Sequence, residues 1–560
     1  MAQVAHVLWN IVALLLSWAC LCVGARTCRT DASMQTSDDP VRVVVVGAGL
    51  AGLACAKKLQ DDGNGRFSVI VLEARERPGG RVRTQRSSGM VVDMGGSWVH
   101  GLKGNPMASM LSISQENRGF VRCDYRTLVR YDAAEPIPHA EMVEANNLFK
   151  LLLQRYEESL PALVSHLESD SAETVLSQVF EDMIRESGAH PFGELPTDLE
   201  ARAEHVRRRK VCLNYLISDL ESVNNSPLDE ISATYLLEDD DYAGGDHHIV
   251  AGAEDVVLPA LCGSGGSLLR EVRTQQVVRQ VSHRGDEPIR LVVEDLSAEQ
   301  NSHSRFQEVE CDVVVLTVPI GVLRTDIDFI PPLPIKKVEA MDAVGYGSYN
   351  KVALRWNKED VFWPEAAHIL SFNFPMIQDA EHGNDWQLQA DSKDTDANSL
   401  MRLRHNMWVM NHLPVDGQPM LVFMISGRLA VEMQEMSSAR VVERVLAAMR
   451  VPFPNAPRPI GVAVGRWDLN EFTRGGWSYH KPGWRGLEHI NALIAPLRGA
   501  ARTHIAGSED NAAHSRVLFA GEATSESRPG YMDGAIESGW REAQRLLSEY
   551  TGKTLPAARL

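Results

Sequence analysis

The feature that most constrains this chain is an apolar strand that leads directly into a glycine-rich turn. Val41–Val46 is rich in β-branched residues, and Gly47-Ala48-Gly49-Leu50-Ala51-Gly52 and a helical pattern over residues 53–59 follow it. Gly47 allows the tight turn, Gly49 lets the backbone approach a pyrophosphate, and Gly52 permits close packing of the helix. The helix N-terminus attracts the negative charge. This order of strand, turn and helix predicts a Rossmann-type α/β domain that binds a dinucleotide.

A second strand supports this prediction because it ends at an acidic residue. Phe67–Leu72 delivers Glu73 to the position at which a carboxylate binds ribose hydroxyls. Glu73 would repel a 2′-phosphate, so NADP is disfavoured. In the loop Arg75-Glu76-Arg77-Pro78-Gly79-Gly80-Arg81, the paired glycines allow close backbone approach, and Arg81 can neutralise a phosphate as a planar donor.

Composition and charge narrow the class of ligand. The 560 residues are enough for two or three domains. The formal net charge of −18 argues against a nucleic-acid partner, which needs clustered Lys and Arg. It favours cationic ligands by steering, although an acidic surface also serves solubility alone. The run Glu238-Asp239-Asp240-Asp241 allows the same two interpretations, attraction of polycations or a solvated loop.

The cysteines give no sign of a metal site. Eight occur, and none has the spacing of metal ligands. No metal is therefore expected, and buried thiols are predicted for Cys55, Cys123, Cys212, Cys262 and Cys311.

The two termini make competing predictions of location. Residues 7–24 form an apolar run that ends in small residues, so residues 1–25 are predicted to be a signal peptide and residues 26–40 a disordered leader. The mature protein would then be secreted and not bound to a membrane. The alternatives are a signal anchor, because the run is nearly long enough to span a bilayer, and a peroxisome, because Ala558-Arg559-Leu560 resembles a peroxisomal address.

Segments of different character alternate along the chain. The pattern is helical from about residue 107, with apolar spacing in 148–163 and 172–184, and strands are predicted at 277–281, 289–293, 312–318 and 517–520. A helix is predicted at 534–548, and surface loops are predicted at 378–398 and 499–515. Cofactor-type segments at the start, middle and end imply two interleaved domains.

Three sequence blocks resemble the flavin amine oxidase superfamily. The first joins the 75–81 loop to Met94-Gly95-Gly96-Ser97-Trp98, the second covers residues 311–323, and the third contains Phe519-Ala520-Gly521-Glu522-Ala523-Thr524 and Gly530-Tyr531-Met532-Asp533-Gly534. The likeness extends from residue 41 to about 548. It implies a Rossmann-type FAD-binding domain interleaved with an α+β substrate-binding domain, a mixed sheet flanked by helices. Gly96-Ser97-Trp98-Val99-His100-Gly101 followed by Gly104-Asn105-Pro106 is most similar to the polyamine oxidases.

The resemblance places the domain boundaries as follows: FAD-binding segments at 41–106, 246–344 and 486–550, a mostly helical first substrate segment at 107–245, a second substrate segment at 345–485, and a tail at 551–560.

The resemblance also assigns roles to single residues. Lys351 matches the lysine that holds a water against flavin N5, and Trp477 and Tyr531 match the two aromatic rings that form a slot for an aliphatic amine. His100 matches a substrate contact near the flavin, and Glu221 a polyamine-binding acid. The implied cofactor contacts are Gly47, Gly49, Gly52, Glu73, Arg75, Gly80, Arg81, Gly96, Ser97, Trp98, Val278, Trp467, Gly521, Glu522, Tyr531 and Met532.

One departure from a related family bears on how the cofactor is held. In monoamine oxidases a cysteine that carries the flavin precedes the first aromatic of the slot, whereas Gly476 stands there in this chain. FAD is therefore expected to be bound non-covalently.

The expected reaction is oxidation of a polyamine, such as spermine, spermidine or an acetylated form, with O₂ as the electron acceptor. Hydride would pass from the amine Cα to flavin N5, with hydrogen peroxide and an aldehyde as products. An L-amino-acid oxidase, a histone-lysine demethylase-like amine oxidase and a cofactor-holding protein without activity are the alternatives. The sequence predicts neither the oligomeric state nor the bond that is cleaved.

Overall fold

The computed structural model describes residues 39–551 apart from 114–118, 133, 164–170, 188–195, 237–241, 251, 264–267, 286, 300–304, 374–405 and 501–512. The predicted signal peptide, nearly all of the leader, the acidic run at 238–241, the 378–398 loop and the C-terminal tripeptide lie outside the described residues. No helix within the described ranges combines the length and apolar character needed to cross a bilayer.

Strands in the described ranges are numbered in chain order. They are β1 (Val41–Val46), β2 (Phe67–Leu72), β3 (Thr84–Ser87), β4 (Met90–Asp93), β5 (Trp98–His100), β6 (Phe120–Arg122), β7 (Val129–Asp132), β8 (Glu135–Pro136), β9 (Asp246–Ile249), β10 (Val272–Arg273), β11 (Gln276–Ser282), β12 (Ile289–Asp295), β13 (Phe306–Cys311), β14 (Val313–Leu316), β15 (Asp328–Ile330), β16 (Val344–Tyr346), β17 (Tyr349–Arg355), β18 (Ile369–Asn373), β19 (Asn406–Asn411), β20 (Met420–Ser426), β21 (Gly461–Val464), β22 (Ser478–His480), β23 (Leu497–Ala500) and β24 (Ala513–Phe519).

The α-helices of the same ranges are numbered likewise. They are α1 (Leu50–Asp62), α2 (Pro106–Met110), α3 (His139–Leu163), α4 (Ala172–Ser187), α5 (Leu199–Asn224), α6 (Ala253–Cys262), α7 (Ile320–Thr325), α8 (Ile335–Ala343), α9 (Leu413–Asp416), α10 (Gly427–Gln434), α11 (Ser438–Met449), α12 (Leu487–Ile494) and α13 (Met532–Thr551).

A six-stranded sheet carries the glycine-rich turn. Its order is β10-β2-β1-β14-β24-β23, and β1 pairs in parallel with β2 and β14. Strand β1 is buried because successive side chains face two different apolar layers: Val43 and Val45 pack in one core, and Val44 and Val46 in the other. The glycine turn therefore lies at the carboxyl edge of a central parallel strand, where ligands bind in this architecture.

A seven-stranded sheet with the order β21-β17-β20-β19-β18-β7-β8 forms the second body. Its centre is antiparallel, and Lys351 of β17 and Trp408 of β19 both pair with Met424 of β20. These three residues form a row on one face of the sheet, since directly opposed residues share a face. Strands β7 and β8 come from the mostly helical segment, so two distant stretches of chain build this sheet.

The predicted fold class, a Rossmann-type domain interleaved with an α+β domain, is confirmed. Strands β1 and β2 have the predicted bounds, and the five cysteines predicted as buried thiols are buried and free. The prediction of a loop over 499–515 is wrong at both ends, because Gly499 and Ala500 pair with His514 and Ala513 as the β23–β24 ladder. The segment boundaries of the two domains stay a prediction.

Candidate active site

A cavity of about 830 Å³ lies between the two sheets and receives residues from the beginning, middle and end of the chain. This volume is within the range of cofactor and substrate sites. Most of the residues predicted for the site line it, namely Gly47, Gly49, Glu73, Arg75, Gly80, Arg81, Gly96, Ser97, Trp98, His100, Val278, Lys351, Trp467, Trp477, Gly521, Glu522, Tyr531 and Met532. Gly52 and Glu221 are not among the lining residues.

The glycine turn is held by the acid at the end of β2. Glu73 is buried, and its carboxylate accepts hydrogen bonds from the backbone N–H of Ala48 at 2.7 Å and of Arg75 at 3.0 Å. Burial raises the pKa of Glu73, although these two hydrogen bonds oppose the shift. Gly47 has a φ of 103°, a conformation that favours glycine. The turn and the carboxylate thus form one rigid unit.

Glycine is required at the turn for two different reasons. A Cβ on Gly52 would lie 1.9 Å from the carbonyl oxygen of Gly47, so the helix could not pack against the turn. A Cβ on Gly49 would meet nothing within 4 Å, and Gly49 lines the cavity. The space in front of Gly49 is therefore open, as a cofactor phosphate requires.

The 75–81 loop supplies positive charge beside this space. Arg75 donates to the carbonyl oxygen of Gly80 and to Asn470, while its Nε is buried and has no hydrogen-bond partner among the described residues. Because a buried donor without a partner is costly, an acceptor at this position is expected in the working protein. The glycine cradle and this donor fit a pyrophosphate-bearing cofactor such as FAD.

An ion pair connects the two ends of the chain at the middle of the cavity. Arg81 donates to Glu522 Oε1 and to the carbonyl oxygen of Gly476, both at 2.8 Å. The other carboxylate oxygen of Glu522 accepts from Gly530 N at 2.8 Å and from Ser478. Glu522 thereby joins the first loop, the 476–478 segment and the turn that precedes Tyr531.

Lys351 is a buried lysine that lines the cavity. Its Nζ donates to the carbonyl oxygens of Asp93 (3.0 Å) and Gly95 (2.7 Å) and to Ser97 Oγ (2.9 Å). Burial lowers the pKa of Lys351 to about 8, and the negative charge of Asp93 opposes the shift. Lys351 is thus mostly charged at neutral pH and loses its proton as the pH rises through about 8.

Aromatic rings surround the part of the cavity next to Lys351. Tyr349, two residues before Lys351 on the same face of β17, packs on Trp477 with ring centroids 4.5 Å apart. Tyr531 meets His100 edge to face at 5.1 Å, and the guanidinium of Arg528 lies 3.8 Å above the Tyr531 ring. Trp477 and Tyr531 therefore have fixed orientations on the wall of an apolar chamber.

Two carboxylates that the sequence-based prediction missed also line this aromatic part. Asp246 lies opposite His100 in the β5–β9 ladder, with its Oδ1 3.1 Å from His100 Nδ1, and it accepts a hydrogen bond from Tyr125. Burial raises the pKa of Asp246, but the hydrogen bonds from His100 and Tyr125 outweigh it, so the net shift is downward and the carboxylate is charged. Asp219 of α5 pairs with Arg130 at 2.8 Å and accepts from Trp408.

Glu221 does not take the place predicted for it. Its carboxylate accepts from Leu228 N at 3.0 Å, beyond the end of α5. Residues two apart on a helix point in nearly opposite directions, so Asp219 and Glu221 cannot both face the cavity. Of these two acids on α5, Asp219 lines the cavity and Glu221 does not.

The types of side chain that line the cavity are limited. No cysteine is among the lining residues of the described chain, and its histidines, cysteines and carboxylates form no group of three or more that could hold a metal ion. The arginines that line the cavity are Arg75, Arg81 and Arg279, which lie on the 75–81 loop and on β11. Among the described residues, the aromatic part thus combines rings and carboxylates without a lining arginine.

Comparison with known proteins gives a family match over most of the chain. The model of the flavin-containing amine oxidoreductases matches residues 50–547. Lysine-specific histone demethylase 1 homolog 1 of Arabidopsis thaliana is 28% identical over 540 residues, which cover 92% of this chain and 53% of that protein. Polyamine oxidase 2 of the same plant is 26% identical over 526 residues, which cover 91% of this chain and 89% of that protein. The chain spans about half the length of the demethylase relatives.

Proposed function

Because this chain belongs to the flavin-containing amine oxidoreductases, we propose that it is an FAD-dependent oxidase whose substrate is a polyamine. The predicted family and its flavin cofactor are confirmed by the match over residues 50–547. The observation that carries the choice of substrate is the aromatic part of the cavity, where Asp246 lies among rings beside the Asp219–Arg130 pair, and where none of the described lining residues is an arginine. A linear substrate with several ammonium groups complements that charge pattern.

The residues of the chain would act mainly by removing water from the reacting amine and by positioning its reacting carbon. An alkylamine has a pKa of about 10.4, and its protonated form has no nitrogen lone pair to support C–H cleavage. Enclosure between Trp477 and Tyr531 would remove water from the reacting nitrogen and so favour its neutral form, whereas Asp246 holds a second ammonium further along the substrate. Binding energy at the remote charge then aligns the reacting carbon.

The cofactor provides the redox chemistry. Bound FAD supplies the hydride acceptor and the route of electrons to O₂, so that hydrogen peroxide forms and hydrolysis of the oxidised amine releases an aldehyde. The glycine cradle, Glu73, Arg75, Arg81 and Glu522 would hold it.

The two other substrate classes are less well supported. An L-amino acid needs a cation for its carboxylate, and the lining arginines of the described chain lie on the cofactor side. A methylated lysine is also an amine, and the demethylase relatives favour it, but this chain spans only about half of their length.

The decisive experiment is to follow flavin bleaching without oxygen, and peroxide release with oxygen, for a panel of amines. The panel contains spermine, spermidine, their N-acetylated forms, an L-amino acid and a methylated lysine peptide. Reduction by a polyamine is expected. Reduction by the amino acid or the peptide alone would reject the proposed substrate.

A matched pair of variants tests the role of the missed carboxylate. Asp246→Asn keeps the size of the side chain but removes its charge, so the KM for spermine should rise about tenfold, or ~1.4 kcal/mol. Glu221→Gln, on a carboxylate outside the cavity, should change the KM by less than about twofold. Equal effects of the two changes would contradict the assignment.

A further inference from the structure

A second, very small cavity lies behind Lys351. Its volume is about 10 Å³, which is the scale of a single water molecule. Lys351, Ser97, Trp98 and Met424 line both this cavity and the main one. The remaining wall is formed by Asp93, His248, Met410, His412 and Val422.

His248 brings a buried nitrogen without a partner to this cavity. The side chain is 5% exposed, and its Nδ1 is buried with no hydrogen-bond partner in the part of the chain that the structure describes. Its ring is held edge to face by Trp98, with centroids 5.2 Å apart, and by His412 at 5.4 Å. Since a buried polar atom without a partner costs free energy, a water in the adjacent space would remove that cost.

Ser97, which also lines the small cavity, provides a hydroxyl that can donate a hydrogen bond to such a water. Its hydroxyl oxygen accepts a hydrogen bond from Lys351 Nζ at 2.9 Å, so its own proton is available for donation. The three protons of a charged Lys351 are already directed at Asp93 O, Gly95 O and Ser97 Oγ. Further stabilisation of the ammonium must therefore pass through one of these acceptors.

We propose that the small cavity binds one water molecule, which accepts a hydrogen bond from Ser97 Oγ and donates one to His248 Nδ1. The hydrogen bonds then run in one direction, from Lys351 to Ser97, to the water and to His248. Hydrogen bonds aligned in this way polarise one another, and they stabilise the positive charge of the Lys351 ammonium from which they start. His248 is thus a positioning residue that stabilises the charged form of Lys351 without touching it.

The surrounding charges are consistent with a neutral His248 that accepts at Nδ1. Burial lowers the pKa of His248 well below its usual value, and His412 and Lys351 act in the same direction. His412 in turn has its Nδ1 2.9 Å from Asp416. Among the described residues, Asp93 is the remaining titratable group of the small cavity, and Tyr125, His100, Asp219 and Asp246 are titratable neighbours that line the main cavity near Trp98 and Trp408. The inference does not depend on which amine is oxidised.

The test has a structural arm and a spectroscopic arm. A crystal structure of the FAD-bound protein should show a water within hydrogen-bond distance of both Ser97 Oγ and His248 Nδ1. A pH titration of the oxidised flavin absorbance, without substrate, should show an inflection that Lys351→Met abolishes. In His248→Phe the water and its acceptor are lost, so this inflection should move about one pH unit downward.

Two controls separate this role from mere packing. His248→Asn restores an acceptor and should return the inflection toward the wild-type pH, and Met410→Leu alters the wall of the same cavity at nearly constant volume and should leave it unchanged. An unmoved inflection in a folded, FAD-bound His248→Phe protein overturns the proposal. If that variant does not fold, or if the inflection persists in Lys351→Met, the crystal structure decides, and a dry cavity is the contrary result.

Discussion

At the scale of single residues, Lys351 is the clearest case of a side chain whose surroundings define its chemistry. A lysine on an apolar strand must either reach solvent or find buried acceptors, and here it finds three. All three come from the 93–97 segment, so the lysine also fixes the backbone that leads to Trp98. Its removal should affect chemistry more than cofactor retention, because its hydrogen bonds go to Asp93, Gly95 and Ser97 and not to the glycine turn, Glu73 or the 75–81 loop.

Lys351→Met tests this separation. Methionine has a similar length but no charge and no donor, so the rate of flavin reduction by a good substrate should fall about a hundredfold. The FAD content, measured from the ratio of flavin to protein absorbance, should stay at the wild-type value. An unchanged rate would contradict the prediction that Lys351 holds a water against flavin N5, and loss of FAD would show that the lysine is structural.

The site could be predicted from the sequence only where a motif ties a residue to a local shape. Gly47, Glu73 and Lys351 lie in such motifs and line the cavity. Asp246 and Trp408 have no local signal, because only the β5–β9 pairing and the row across β17, β20 and β19 bring them there. Such long-range strand pairings cannot be obtained from short-range periodicity.

At the scale of elements, the predicted strands and helices are those with a clear apolar period. Strand β1 is buried on both faces and gives a continuous apolar run, which the sequence shows directly. Helix α5 is different, because Leu199 to Lys210 is polar on nearly all sides and only residues from Cys212 onward are buried. No hydrophobic stripe marks its first half, so its start is marked only by the capping residue Asp198.

The packing of α1 on α13 depends on one glycine. A Cβ on Gly539 would lie 2.1 Å from the carbonyl oxygen of Ala51, so Gly539→Ala should force the helices apart and lower the free energy of unfolding by about 3 kcal/mol. Gly49→Ala is the matched comparison, because its Cβ would meet only open space. That variant should unfold like the wild-type apoprotein in a thermal melt but bind FAD more weakly in a fluorescence titration. Equal melting temperatures for both variants would contradict the packing argument.

At the scale of the whole molecule, the charge balance acts on substrate capture. A net charge of −18 attracts polycations over a distance set by the Debye length, which shortens from about 30 Å at 0.01 M salt to about 8 Å at 0.15 M. The attraction between the protein and its substrate should therefore depend strongly on the salt concentration for a substrate with several positive charges and weakly for one with a single charge.

This difference can be measured directly. Between these two salt concentrations, kcat/KM for spermine should fall about tenfold, while kcat/KM for a simple alkyl monoamine should change much less. Parallel salt dependences for the two amines would show that the acidic surface serves solubility alone.

The Arg81–Glu522 ion pair joins residues 441 positions apart, and this separation bears on when the cofactor can be captured. A growing polypeptide that has left the ribosome as far as β22 has its glycine turn but neither Glu522 nor the ring of Tyr531. The complete pocket first exists once β24 and α13 have been synthesised and docked. We therefore expect tight FAD binding only after synthesis has passed α13, and faster loss of flavin from any variant that loosens this final strand and helix.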